Sequence, residues 1–174
     1  SILRVSFSTL SAIDLLQDGE AKDFLISAKN FLEAGKNEEC IIECRKSIFI
    51  EIESYYDVSL FKDGSTGGLL RFTSRVPEHA RNTAYIAKMV NQPSDYIVLD
   101  HNRIDQDLLK QGASPTDFWN LWRLTPNVYR FRETKEWSVQ RDFDKFEDKT
   151  LADKTEYIFT TTIDLMLAIH SHRK

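Results

Sequence analysis

Two neighbouring amphipathic segments near the amino end constrain the fold more than any other feature of the sequence. In residues 19–35 the apolar side chains recur at intervals of three and four, which is the spacing of one face of an α-helix. These side chains are Ala21, Phe24, Leu25, Ala28, Phe31 and Leu32. Asp18 can cap the start of this helix, and Gly35 can end it in the left-handed conformation that glycine adopts readily.

Residues 37–57 predict a second, longer helix with two adjoining apolar stripes. One stripe contains Ile41, Cys44, Ile48, Ile52 and Tyr55, and the other contains Ile42, Phe49 and Tyr56. Two stripes side by side indicate burial from two directions, so this segment is predicted to be the central helix of a bundle. The short link at 35–37 predicts that the two helices form an antiparallel hairpin.

The rest of the chain predicts further helices and one short β-hairpin. Helices are predicted over 67–75, from Pro77 to Val90, over 97–111 with an end at Gly112, after Ser114-Pro115, and from Thr150 to about His170. Residues 128–132 and 137–141 predict two strands joined by a polar turn. The predicted fold class is therefore mainly α, an up-and-down helical bundle with a short β-hairpin near 128–141, in one domain over 1–174.

Composition excludes several classes of protein. The 174 residues can bury a core without a disulfide or metal staple. The formal net charge of −4 does not favour a strongly basic nucleic-acid-binding domain. Cys40 and Cys44 lie four residues apart on a predicted helix, which indicates buried thiols rather than a disulfide or a zinc site. We expect a cytoplasmic protein with no cofactor, no metal and no membrane partner, because no apolar run is long enough to cross a bilayer.

The segment between residues 71 and 82 carries the most suggestive set of chemical groups. An arginine can hold a phosphate with two hydrogen bonds, and a histidine can transfer a proton near neutral pH. Arg75 and His79 are therefore the candidate catalytic residues, and Arg71, Arg81 and Asn82 are the candidate nucleic-acid contacts. The commoner interpretation of such a segment is a solvated helix start with ordinary ion pairs.

Other candidates have stronger structural explanations. The glycine-rich stretch at 63–68 can hold a phosphate, but a connector is the commoner role. Trp119 and Trp122 can stack on bases, although core packing against the last helix is the default. His170 and His172 diverge around a helix, and cations at a helix carboxyl end need no further function.

The predicted helical hairpin resembles the start of a HEPN domain. The residues that carry the resemblance are 21–35, with their glycine-containing end, and 41–51, which begin with small and aliphatic residues and include Arg45 and Glu51. The resemblance implies an up-and-down bundle that forms a homodimer. It also implies either a ribonuclease or a non-catalytic RNA-binding or scaffolding protein of bacterial toxin–antitoxin, CRISPR-linked or phage-defence systems. Residues 92–143 would then be an insertion.

The spacing of arginine and histidine separates these two functions. The catalytic signature of the family has four to six residues between an arginine and the histidine that follows it. The nearest arrangement here is Arg75 and His79, with three residues between them. We therefore favour an interaction or regulatory module with RNA or a protein as its partner. The alternative is a metal-independent endoribonuclease that uses Arg75 and His79 in a composite cleft of the dimer.

Overall fold

A computed structural model describes the larger part of the chain. The described residues are 12–56, 61–62, 69–73, 86–88, 96–131, 134–139 and 151–172. For the strands between residues 61 and 100 only the backbone is described.

The first two helices form the predicted hairpin. Helix α1 spans Glu20–Glu33 and helix α2 spans Asn37–Tyr56. Gly35 has a φ of +74°. The Gly35 N–H donates to the Leu32 carbonyl at 3.1 Å and the Lys36 N–H donates to the Phe31 carbonyl at 2.8 Å. This pair of bonds is the Schellman ending of a helix, so the predicted role of Gly35 is confirmed.

The amino end of α1 differs from the prediction. Gly19 is the N-cap residue, and it provides no side-chain cap. Asp18 lies one position too early to cap the helix and instead accepts a hydrogen bond from Lys22 Nζ at 3.0 Å.

Three more helices complete the helical layer. Helix α3 spans His101–Lys110, helix α4 spans Pro115–Leu124 and helix α5 spans Leu151–Ser171. The Ser114 hydroxyl accepts a hydrogen bond from the Asp117 N–H at 3.2 Å, so the predicted cap of α4 is confirmed. Helix α5 packs against α1, α2 and α4, and one apolar core runs between these helices. None of the described helices has the length and apolarity needed to cross a bilayer.

The predicted β-hairpin is confirmed. Strands β5, Val128–Phe131, and β6, Trp137–Val139, pair antiparallel. Strand β1, Phe61–Lys62, adds to β5 in parallel, so the order in this sheet is β1-β5-β6. With five α-helices and this hairpin among the described residues, the fold is mainly α, as predicted.

A second sheet replaces helices that the sequence predicted. Strands β2, Leu69–Thr73, and β4, Tyr96–Asp100, pair in parallel, and β3, Ile86–Lys88, pairs antiparallel with β4. The helix predicted over 67–75 is therefore wrong, the one predicted from Pro77 to Val90 has a strand near its end, and α3 begins at His101 rather than at 97. Short apolar runs do not distinguish a strand from a buried helix by periodicity, and here the pairing partners decide.

Candidate functional site

An apolar pocket lies between α2, α3 and α5 in the described part of the chain. Its walls are mostly aliphatic side chains from these helices together with Phe118 of α4, and its volume is about 40 Å³. Five polar or amphipathic side chains also line it: Glu51, Tyr55, Tyr56, Asp107 and Gln111. Tyr55 is 39% exposed, so the pocket reaches the surface beside this ring.

Asp107 connects α2 with α3 at the pocket. The Tyr56 hydroxyl donates to Asp107 Oδ2 at 2.8 Å, and Arg103 Nε lies 3.6 Å from Asp107 Oδ1. Gln111 Nε2 donates to the Asp107 carbonyl at 3.0 Å. Burial raises the pKa of Tyr56, and the hydrogen bond to Asp107 raises this pKa further. These bonds hold the carboxylate and the phenol in one arrangement.

A second buried connection joins three distant parts of the chain through His170. The backbone N–H of Gln17 donates to His170 Nδ1 at 3.1 Å, so Nδ1 carries no proton. The proton is therefore on Nε2, which donates to Glu51 Oε2 at 3.1 Å. Both side chains are almost completely buried. The imidazole thus links the segment before α1 to α2 and to the end of α5.

Arg45 is buried between α2 and the end of α4. Its Nη1 donates to the Trp122 carbonyl at 2.9 Å and to Thr125 Oγ1 at 2.8 Å, and its Nη2 donates to Asn127 Oδ1. The guanidinium carbon lies 3.2 Å from the centroid of the Trp122 ring. Burial lowers the pKa of Arg45 well below its usual value. The negative end of the α4 dipole stabilises this cation, which fixes α4 and the start of β5 against α2.

His101, Asp105 and Trp119 form a smaller cluster at the surface. Trp119 Nε1 donates to Asp105 Oδ1 at 2.6 Å, and His101 Nδ1 lies 3.5 Å from Asp105 Oδ2. The His101 ring stacks on Trp119 with a centroid distance of 4.0 Å and an angle of 8°. This cluster holds the amino end of α3 against α4, and Phe118 separates it from the pocket.

The two cysteines are buried free thiols, as predicted. Burial raises the pKa of Cys44, and a hydrogen bond with Cys40 raises this pKa further. No group of three or more His, Cys, Asp or Glu side chains among the described residues can hold a metal ion.

The candidate residues of the 71–82 segment fall mostly outside the described residues. Arg75, His79, Arg81 and Asn82 lie there, and so does the glycine-rich stretch at 63–68. The backbone of Arg71 lies in β2 opposite Val98 of β4, and its side chain is not described. The catalytic and nucleic-acid-binding assignments therefore stay predictions.

Sequence reasoning missed the polar residues that line or support the pocket. One signal was available, since Asp107 follows Ile104 by three residues and precedes Gln111 by four, so a carboxylate lies on the buried face of α3. Glu51 is placed in the same way beside Ile48 and Ile52 on α2. His170 was interpreted as a cation at a helix end, but it is 6% exposed and hydrogen-bonded on both ring nitrogens.

Comparisons with known proteins found no relative of this chain. No family model matches it, and neither the curated proteins nor the solved structures contain a match.

Proposed function

We propose that this chain is a HEPN-like interaction or regulatory module, that it acts by binding rather than by catalysis, and that the pocket between α2, α3 and α5 is its binding site. The observation that carries the proposal is an apolar pocket that reaches the surface beside Tyr55 and has fixed polar groups in its wall. Mostly apolar clefts with a few well-placed polar groups are typical of binding sites.

The hydrogen bonds around the pocket favour binding over catalysis. His170 uses one ring nitrogen to accept from Gln17 and the other to donate to Glu51. Asp107 accepts from Tyr56 and lies beside Arg103. A general acid or base must reach the reacting atom of a substrate with a proton or a lone pair. Side chains engaged in this way maintain the shape of a pocket instead.

The helical hairpin supports the finer parts of the proposal. We propose a cytoplasmic homodimer that contacts RNA or a protein partner in a bacterial or phage-defence context, because the α1–α2 hairpin carries the resemblance to HEPN domains. The chain has a mass of 20.2 kDa. Size-exclusion chromatography with light scattering should therefore give twice this mass, and a monomer at every concentration tested would contradict the dimer.

An RNA assay without added metal tests binding against catalysis. We expect single-stranded and hairpin RNAs to be retarded by the purified protein in a native gel and to remain intact. Cleavage that disappears in both Arg75→Ala and His79→Ala, but persists in the control Lys36→Ala, would replace this proposal with the metal-independent endoribonuclease. If the RNAs were neither retarded nor cleaved, RNA would be excluded as the partner.

A further inference from the structure

We propose that the pocket binds one aliphatic side chain of a protein partner, of the size of leucine or methionine. This inference rests on the proposed function, because it names the occupant of the same pocket and selects a protein over RNA as the partner there. The apolar wall, the bonds of its polar side chains, the position of the opening and the volume support it.

The surface inside the pocket is almost wholly apolar. Isoleucine, leucine and methionine side chains of α2, α3 and α5 form most of it, and all of them are buried. Such a wall gains free energy by contact with another apolar group, which leaves water at the same time. RNA presents phosphates, hydroxyl groups and polar base edges, and these would lose water here without gaining a partner. The wall therefore suits an aliphatic group of a protein.

The polar side chains of the wall are bonded to other groups of the protein. Glu51 accepts a hydrogen bond from His170 Nε2, and Asp107 accepts one from the Tyr56 hydroxyl. Gln111 Nε2 donates to the backbone carbonyl of Asp107. A charged group that entered the pocket would lose its water without replacement, whichever sign its charge has. The group that binds inside is therefore neutral.

The opening of the pocket suits a side chain that enters from a second protein. Tyr55 is exposed, whereas the other lining residues are buried or half-buried. The Tyr55 ring meets the Tyr56 ring edge to face, with centroids 4.7 Å apart, and this contact holds it at the opening. Tyrosine is enriched among the residues that contribute most to protein interfaces, and these residues cluster around well-packed pockets. The backbone of the partner would lie against Tyr55 while its side chain fills the pocket.

The volume of the pocket limits the size of the side chain. Its 40 Å³ exceeds the roughly 10–15 Å³ that a single water needs but is far below the roughly 150 Å³ of a cavity that takes benzene. An aromatic ring is therefore too large, whereas a chain of a few carbons fits. Each carbon that enters should raise the affinity about fourfold, until the pocket is full.

Amino acid amides that differ only in the side chain test this inference. The N-acetyl amides of alanine, norleucine, lysine and phenylalanine are titrated at pH 7 and constant ionic strength into protein labelled with ¹³C at the methionine methyl groups. Norleucine has a four-carbon side chain, and lysine carries an ammonium group at the end of the same chain. Met166 lies in the wall of the pocket, and the other methionine of the chain is Met89. The Met166→Leu variant assigns the signal.

We expect a saturable shift of the Met166 signal with the norleucine amide. The lysine amide should bind at least about tenfold more weakly, because its ammonium group would have to leave water. The alanine amide should also bind at least about tenfold more weakly, because it lacks three carbons of the chain. The phenylalanine amide and the hairpin RNA of the native-gel experiment should not shift the Met166 signal.

Two variants of Ile52 separate the polarity of the wall from its shape. Valine and threonine have the same shape, and only threonine adds a hydroxyl group. Ile52→Thr should therefore bind the norleucine amide about fivefold more weakly than Ile52→Val. The control Ile41→Thr adds the same hydroxyl to a buried residue outside the lining, and it should bind like the wild type. Circular dichroism confirms that each variant is folded, and the amide series on the wild type tests the inference without any variant of the wall.

The outcomes distinguish this inference from the proposed function. Equal affinities for the norleucine and lysine amides, or no Met166 shift with any amide, would overturn the aliphatic occupant. Binding of butan-1-ol without binding of the norleucine amide would show that the opening excludes a peptide backbone, and a Met166 shift with RNA would place RNA at the pocket; either result would overturn the protein partner. The native-gel and light-scattering experiments would still decide whether the chain is a dimeric, non-catalytic module.

Discussion

Three ionisable side chains, Glu51, Asp107 and His170, lie on helix faces that are otherwise apolar. Each is at least nine-tenths buried, and each has a hydrogen-bond partner from a different element or segment of the chain. A buried polar group without such a partner would cost several kcal/mol, on the order of 2–7. The partners therefore explain why these residues are tolerated in the core.

Cys44 is expected to make the fold less stable at alkaline pH. Burial raises the pKa of this thiol, so the folded state keeps the proton at a pH where the unfolded chain loses it. Its contribution to stability is complete below the unfolded pKa of about 8.5 and is lost as the pH rises from there towards the folded pKa. We expect the free energy of unfolding to fall by up to about 1.4 kcal/mol per pH unit between pH 9 and 10 from this group.

Urea unfolding at pH 7, 8, 9 and 10 measures this dependence. Cys44→Ala should unfold with a shallower pH dependence between pH 9 and 10. The raised pKa of Tyr56 adds a similar loss, but only above about pH 10, where an exposed tyrosine ionises. An identical slope in the wild type and in Cys44→Ala would show that the thiol does not titrate differently on folding.

Helix ends in this protein are set by local chemistry. Gly35 ends α1 and Gly112 follows α3, both with positive φ and both with the paired hydrogen bonds of a Schellman ending. Ser114 and Pro115 then start α4. Because each of these signals acts within a few residues, the ends of these helices can be recognised from the sequence alone.

Replacing Gly35 tests the contribution of one such turn. A Cβ at this position would meet no atom within 4 Å, so any cost of Gly35→Ala comes from the backbone φ of +74°. We expect a loss of about 1–2 kcal/mol in the free energy of unfolding, measured by urea titration. Gly35→Asn should lose less, because asparagine adopts this conformation more easily. The control Lys36→Ala, in the same turn, should change stability by less than about 0.5 kcal/mol. A Gly35→Ala variant as stable as the control would contradict the strain.

Strands depend on partners that local signals do not identify. Leu69–Thr73 and Tyr96–Asp100 are short runs that suit a helix or a strand equally, and their pairing across more than twenty residues decides between the two. The β5–β6 hairpin was recognised because its strands are neighbours in sequence and are joined by a short polar turn.

At the scale of the whole molecule, two buried polar side chains hold distant segments together. Arg45 joins α2 to residues 122–127, and His170 joins the end of α5 to Gln17 and Glu51. The acceptors of Arg45 lie about eighty positions further along the chain. These bonds complement the apolar core, because they specify which ends of the helices meet.

Removing the Arg45 guanidinium should destabilise the whole fold. Arg45→Met introduces an apolar side chain of similar length. It leaves the Trp122 carbonyl without the hydrogen bond that Arg45 Nη1 donates. Because hydrogen bonds to buried charged groups contribute about 1.5–3 kcal/mol each, we expect a loss of at least about 2 kcal/mol in the free energy of unfolding. Tryptophan fluorescence during urea unfolding measures it. Lys36→Ala again serves as the exposed control, and a loss no larger than that of the control would mean that Arg45 adds no net stability.

The sequence by itself determined the helical hairpin, the carboxyl end of α1, the start of α4, the extent of α5 and the β5–β6 hairpin. Apolar periodicity, glycine turns and caps act over a few residues, so they can be recognised without knowledge of tertiary contacts. Only the tertiary structure decided the β2-β4-β3 sheet and the pocket, because strand pairing and the contacts of Glu51 with His170 and of Asp107 with Tyr56 join residues far apart in the chain. A carboxylate on an apolar helix face signals that it has a buried partner, and only packing shows which residue that partner is.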